Sequence, residues 1–188
     1  RLFNVQAREV EASEADGETW LNLANDDEAA YVEMMGACKL SSSDDDRHKY
    51  FRISETAYRE LKRATNELHA LFMHATNYVL QDDALLRNFN LPEALWPRIH
   101  QSWDNRRNEM ITGRFDFSMS ERGLKVYEYN CDSASCHMEC GKVQELWARH
   151  YGCDDGRNAS NDMHGELVDA WQESGVKGIL HIMQDGDL

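Results

Sequence analysis

The sequence predicts an α+β fold: a helix-rich segment, an antiparallel β-hairpin and the first strand of a further sheet. Three observations predict it. Apolar residues recur at helical spacing from Ala57 to Val79, the pattern changes to strict alternation between Gly113 and Asn130, and a short apolar run at 178–183 follows the last helical stretch. Asp26 to Met35 reads as a short helix, with acids in its first turn and Gly36 just beyond its end. Ser54 is placed to cap a long helix whose core-facing stripe is Ala57, Leu61, Ala64, Leu68, Leu71, Ala75 and Val79. His69 and His74 lie off or beside that stripe and read as surface or satisfied helical histidines. Pro92 and Pro97 each suit the first turn of a short helix, with Trp96, Ile99 and Trp103 as core anchors.

In Gly113-Arg114-Phe115-Asp116-Phe117-Ser118-Met119 the aromatic residues and Met119 alternate with polar ones, and Leu124 to Asn130 alternates in the same way. Glu121-Arg122-Gly123 suits a three-residue hairpin loop with Gly123 in the left-handed conformation. That loop pairs Ser120 with Leu124. It sets Phe117 opposite Tyr127, Asp116 opposite Glu128, Phe115 opposite Tyr129 and Arg114 opposite Asn130. Further on, His137 to His150 reads as a helix with Val143, Leu146 and Trp147 inward, and Asp162 to Ser174 as another, stopping at Gly175.

Composition narrows the function classes. The 188 residues hold 34 Asp plus Glu against 20 Lys plus Arg, a formal net charge of −14 that excludes a generally basic nucleic-acid binder. Eleven acids and one base, Lys39, fall between residues 11 and 46, so that segment carries −10 of the −14. It is expected to be an acidic linker leading into the domain at residues 1–48, with solvated loops such as 41–46. No run approaches the roughly 20 apolar residues of a membrane helix, and five cysteines in a chain able to build a core argue for reduced thiols and a cytoplasmic setting. The chain begins at Arg1 rather than Met and stops just after an apolar run, so it is expected to be a piece of a longer protein. Asn158-Ala159-Ser160 fits a glycosylation acceptor, a triplet common by chance.

The chemistry concentrates on the polar hairpin face. Asp116 and Glu128, directly opposed, place like charges with Cβ atoms about 5 Å apart. At an effective dielectric of 20 and 4 Å, the repulsion is on the order of 4 kcal/mol before relaxation. A divalent cation reverses its sign, and two carboxylates with the carbonyl oxygen of Asn130 make a hard, all-oxygen partial shell suited to Mg²⁺. Arg114 beside them can grip a phosphoryl or carboxylate group with two N–H donors. A solvated face in which Arg114 bridges the acids is the alternative. In Asp132-Ser133-Ala134-Ser135-Cys136 the hydroxyls and a helix start can hold a carboxylate, or Ser133 and Ser135 can be ordinary helix caps. Cys131, Cys136, His137 and Cys140 offer soft ligands within ten residues, although their spacing matches no known zinc knuckle.

Three blocks, Arg114-Phe115-Asp116-Phe117, Val126-Tyr127-Glu128-Tyr129-Asn130 and Asp132-Ser133-Ala134-Ser135-Cys136-His137, resemble in order and spacing the start of the synthetase domain of the glutathionylspermidine synthase and trypanothione synthetase family. Trp96-Pro97-Arg98 and His181-Ile182-Met183-Gln184-Asp185 are similar too, and the thiols at Cys131 and Cys140 look more like the kinetoplastid members than the bacterial ones. The resemblance implies the N-terminal part of an ATP-grasp type synthetase domain over residues 49–188, often preceded in the same chain by an amidase domain. It implies an ATP-dependent carbon-nitrogen ligase that joins the glycine carboxylate of glutathione to spermidine or glutathionylspermidine through an acyl phosphate. Asp116, Glu128 and Asn130 would then hold Mg²⁺, and Arg114 and Asp116 would meet the ATP phosphates. Arg114 would also stabilise the transferring phosphoryl group, and Arg114, Ser133, Ser135 and Cys136 would bind glutathione. The polyamine and adenine sites would lie beyond Leu188, leaving these residues inactive alone. A non-catalytic zinc-binding module and a helical interaction domain are the competing readings.

Overall fold

The computed structural model describes residues 4–11, 18–131, 135–158 and 162–178. The architecture is α+β, with two small antiparallel sheets among helices. Strands β1 (Val5–Glu9) and β2 (Lys49–Ile53) pair in the register Val5↔Ile53 to Glu9↔Lys49. Neither strand was expected, because most of their residues are exposed and no apolar alternation marks them. Their backbone ladder supplies the pairing, extended at its ends by Val10 N–H donating to His48 O and Ser54 N–H to Asn4 O.

Between these strands, α1 (Asp26–Met35) has the predicted bounds, with three acids in its first turn and Gly36 left-handed at φ 70°. Its inward residues Glu28 and Tyr31 are buried. Tyr31 forms a core cluster with Leu21 and Val143, against which Trp20, Met35, Met138 and Leu146 pack. The acidic segment therefore supplies part of the core, while Ser42 to Asp46 is exposed as expected.

Helix α2 (Glu55–Leu80) starts where Ser54 Oγ accepts from Ala57 N–H. Its predicted stripe is covered only in part: Ala57 is fully buried, whereas Leu71 is 61% exposed. The difference has a geometric cause. The aromatic hairpin covers the helix through His69 and Phe72, on a line beside the predicted stripe. After α3 (Asp83–Arg87), a 3₁₀ turn at Glu93–Leu95 and α4 (Trp96–Asp104) begin at Pro92 and around Pro97 as anticipated. Trp96 is buried and donates to Leu91 O, while Trp103 Nε1 donates to Asn77 Oδ1 at 3.1 Å, tying α4 to α2. The short α5 (Arg106–Glu109) then leads into the hairpin.

The hairpin consists of β3 (Gly113–Ser120) and β4 (Gly123–Cys131). Its turn corrects the expectation: Ser120 pairs with Gly123, not Leu124, across a two-residue connection, and Phe117 pairs with Val126, not Tyr127. A bulge between Asp116 and Phe117 on one strand, with Tyr127 as the extra residue on the other, restores the predicted pairs Asp116↔Glu128, Phe115↔Tyr129 and Arg114↔Asn130. The bulge also sorts the faces. Leu124, Val126 and Tyr129 share the side of Met119, Phe117 and Phe115, and Tyr127 is left 77% exposed. Gly123 has the expected positive φ, 93°.

Beyond the hairpin, the predicted 137–150 helix is present with a π turn at Glu139–Val143 leading into α6 (Gln144–His150). Val143 and Trp147 are buried as expected. Within the π turn Lys142 reaches Asp27 at 2.7 Å and Glu28 at 3.0 Å, clamping α1 onto this helix. Helix α7 (Met163–Glu173) is capped by Asp162, whose side chain accepts from Gly165 N–H. Of the apolar run expected as a further strand, residues 179–183 lie outside the described residues.

Candidate active site on the polar face of the hairpin

Strand alternation puts Arg114, Asp116, Glu128 and Asn130 on one side of β3–β4, in two directly opposed pairs. Arg114 is the hub. Its Nε donates to Asp116 Oδ1 at 3.0 Å, and its Nη1 donates to Ser135 Oγ at 2.9 Å. One guanidinium thus joins the carboxylate of the hairpin to the hydroxyl of the loop that follows it. Hydrogen bonding to Asp116, reinforced by its charge, raises the Arg114 pKa further, so the group is a permanent cation.

Ser135 is followed by Cys136, whose Sγ lies 3.6 Å from Ser135 Oγ. Cys136 takes a positive φ of 69°, uncommon for a residue with a side chain, and its carbonyl accepts from Cys140 N–H to open the helix. The chain therefore turns sharply at Cys136, leaving its thiol exposed beside Arg114 and Ser135. Ser133, predicted as a second glutathione ligand, lies outside the described residues.

Asn130 Nδ2 is buried and has no hydrogen-bond partner among the described residues. A buried unpaired amide costs about 1–3 kcal/mol. As it stands it offers a donor to a phosphate oxygen. Turned by half a rotation, the same amide offers Oδ1 to a cation. With two opposed carboxylates beside it, the donor set fits a hard divalent ion such as Mg²⁺.

The opposite face of the hairpin holds this arrangement rigid. Phe115 and Tyr129 stack with ring centroids 3.8 Å apart, and Phe72 of α2 meets Tyr129 at 5.1 Å. His69 Nδ1 and Tyr129 OH are 2.7 Å apart, so His69 is a satisfied helical histidine, as one of its two readings held. Burial, with the Cys131 thiol next to it, pushes the Tyr129 pKa upwards, so it stays a neutral phenol. Gly113 makes room for the ring: a Cβ there would lie 2.8 Å from Tyr129 Cε2. Sequence reasoning missed this frame, because the partners are distant along the chain and Gly113 only reads as the start of a strand.

The soft-ligand alternative gains nothing. Among the described residues no three His, Cys, Asp or Glu side chains converge on one point, and His137 Nε2 instead lies 3.2 Å from Thr112 Oγ1. Cys140 is pushed up in pKa by burial, then by Cys136 and Glu139, which favours its thiol form.

Comparison with known proteins decides the family. Residues 19–184 match the family described as glutathionylspermidine synthase, preATP-grasp. The chain belongs to this family. It is 46% identical over 182 residues to the bifunctional glutathionylspermidine synthetase/amidase of Escherichia coli, covering 97% of the chain and 29% of that protein. It is 35% identical over 173 residues to the trypanothione synthetase of Crithidia fasciculata, covering 89% of the chain and 26% of that protein. The chain thus spans less than a third of the length of the curated relatives it matches. The higher identity to the bacterial protein runs against the kinetoplastid likeness suggested by Cys131 and Cys140. No helix among the described residues is long and apolar enough to cross a membrane.

Proposed function

We propose that this chain is the N-terminal part of the synthetase domain of an ATP-dependent acid-amine ligase that joins the glycine carboxylate of glutathione to spermidine or glutathionylspermidine. The observation that carries the reading is the bridge from Asp116 through Arg114 to Ser135, which connects a carboxylate suited to a metal with a hydroxyl suited to a peptide substrate. The domain expected over residues 49–188 takes β1 and α1 of residues 1–48 into the same fold. The rest of the ATP-grasp half and an amidase domain belong to the same full-length chain, which is cytoplasmic.

In this reading Asp116, Glu128 and Asn130 hold Mg²⁺. Bound there, the ion supplies charge neutralisation for the ATP phosphates. Arg114 orients the γ-phosphoryl group and the attacking glycine carboxylate together, and its fixed charge stabilises the oxygens that gain charge during transfer. The carboxylate oxygen forms the new bond to phosphorus as ADP leaves. Ser135, with Ser133 and Cys136, positions glutathione so that its acyl phosphate faces the polyamine. The amine nitrogen then bonds to the acyl carbon, phosphate leaves, and the amine's proton is lost to solvent or a base.

The test is product formation by the full-length parent protein. With ATP, Mg²⁺, glutathione and spermidine, chromatography should show glutathionylspermidine, and spermidine omission should abolish it. Absence of any glutathione-polyamine conjugate from a folded parent protein would overturn the reading. Stoichiometric zinc in that protein would favour the metal-binding alternative.

A further inference from the structure

The hairpin borders a cavity on the side away from Asp116 and Glu128. A cavity of about 460 Å³ lies between α2, α5 and the first residues of β3, within the size range of small-molecule sites. Among the described residues its charged lining is Arg106 and Arg107, with no Asp or Glu. That is unusual in a chain with 34 acids and 20 Lys plus Arg. The larger cleft between β2 and α6, about 850 Å³, shows the contrast. There Arg52 pairs with Asp155 at 2.6 Å and Arg157 with Glu55 at 2.9 Å, so its arginines are already neutralised.

Both arginines of the smaller cavity lack such a carboxylate among the described residues. Arg106 is held by donating from Nη1 to Trp103 O at 2.7 Å and by lying 4.3 Å over the Trp103 ring. These contacts orient the guanidinium without cancelling its charge. Arg107 is exposed beside it. Two adjacent uncompensated guanidinium groups at a concave surface focus positive potential there. The rest of the lining differs in character: Met73, Met110 and Phe115 give it an apolar side.

We propose that this cavity binds a small organic anion, with a carboxylate or phosphoryl end on Arg106 and Arg107 and an apolar body against Met73, Met110 and Phe115. The geometry separates it from the ligase site. Phe115 and Tyr129 face the cavity, while Arg114, Asp116, Glu128 and Asn130 leave the same strands on the other face. The proposal therefore does not depend on the ligase reading.

The experiment is calorimetric titration of the full-length parent protein with phenyl phosphate, benzoate and neutral benzyl alcohol, each to about 10 mM. At least one of the two anions should saturate at one site, and which of them does so names the preferred head group. Benzyl alcohol should bind at least tenfold more weakly. Arg107→Gln, an exposed change whose folding circular dichroism checks, should weaken the anion about tenfold, as expected for a lost charged hydrogen bond. Arg122→Gln, a charge-matched change at the hairpin turn, should leave it unchanged. Failure of both anions to saturate would overturn the proposal, as would wild-type affinity in Arg107→Gln. Loss of binding in Arg114→Gln instead of Arg107→Gln would place the anion on the polar face and overturn it equally.

Discussion

At the scale of single residues, the site is a set of opposed demands on four side chains. Asp116 and Glu128 face each other, and among the described residues Arg114 bonds only Asp116 of the two, so Glu128 sets a like charge opposite a carboxylate that already has its partner. Glu128→Gln is therefore predicted to raise the stability of the metal-free parent protein slightly, by about 0.5 kcal/mol, while lowering turnover by two orders of magnitude or more. Denaturation with urea and a turnover assay on the same variant check the two signs together. Arg114→Lys keeps the charge but loses the fork that reaches both Asp116 and Ser135. Its expected effect is a fall of about 10²-fold in kcat, with folding intact by circular dichroism. Gly113→Ala forces Cβ against Tyr129 and should cost about 1–3 kcal/mol, read as a lowered midpoint of denaturation. The pairing Asp116↔Glu128 was legible from alternation alone. The roles of Gly113 and Tyr129 were not, since nothing local in the sequence reports a ring lying over a backbone some sixteen residues away.

At the scale of elements, two devices fix the site. The Tyr127 bulge compensates the shorter turn, which explains why the predicted pairs at the polar end held although the loop length did not. A regular two-residue hairpin would have scrambled both faces; sequence alternation cannot show where an extra residue is inserted. The other device is the Lys142 clamp, which holds α1 against the helix that begins at Cys136. Lys142→Met should cost about 2–3 kcal/mol, because it leaves the buried Glu28 without its cation. The pH dependence follows from the directions of the shifts. The Lys142 hydrogen bond lowers the Asp27 pKa; for Glu28, burial pushes upwards but is outweighed by hydrogen bonds from Asn22, Asn25 and Lys142. Stability from these acids is thus present above their ordinary values of 3.8 and 4.5 and is lost as pH falls through the lowered ones. The Lys142 pKa is raised, chiefly by Asp27, so its share is complete below 10.5 and disappears only as pH rises through the raised value. Between these limits the clamp holds, and wild type and Lys142→Met should differ most in urea midpoint near neutral pH and converge in acid.

At the scale of the whole molecule, the described surface leaves apolar groups uncovered. Leu71 on α2, at 61% exposure, stands open although the sequence marked it as core, and Tyr78 beside that stripe, at 63%, and Phe51 on β2, at 72%, are open as well. The pattern was legible as amphipathic but not as to what covers it, because periodicity identifies a face and not its partner. The 188-residue chain is accordingly predicted to bind a hydrophobic dye strongly, and more strongly per residue than the parent protein. The strands β1 and β2 were illegible for the opposite reason: a solvent-facing ribbon carries little apolar signature. The central claim is that the polar hairpin face performs the ligation, and one measurement tests it most directly: phosphate release by the parent protein with ATP, Mg²⁺, glutathione and spermidine, repeated with Asp116→Ala and Glu128→Ala. Substrate-dependent release that collapses in both folded variants is the predicted result. Release undiminished in either variant would contradict the claim.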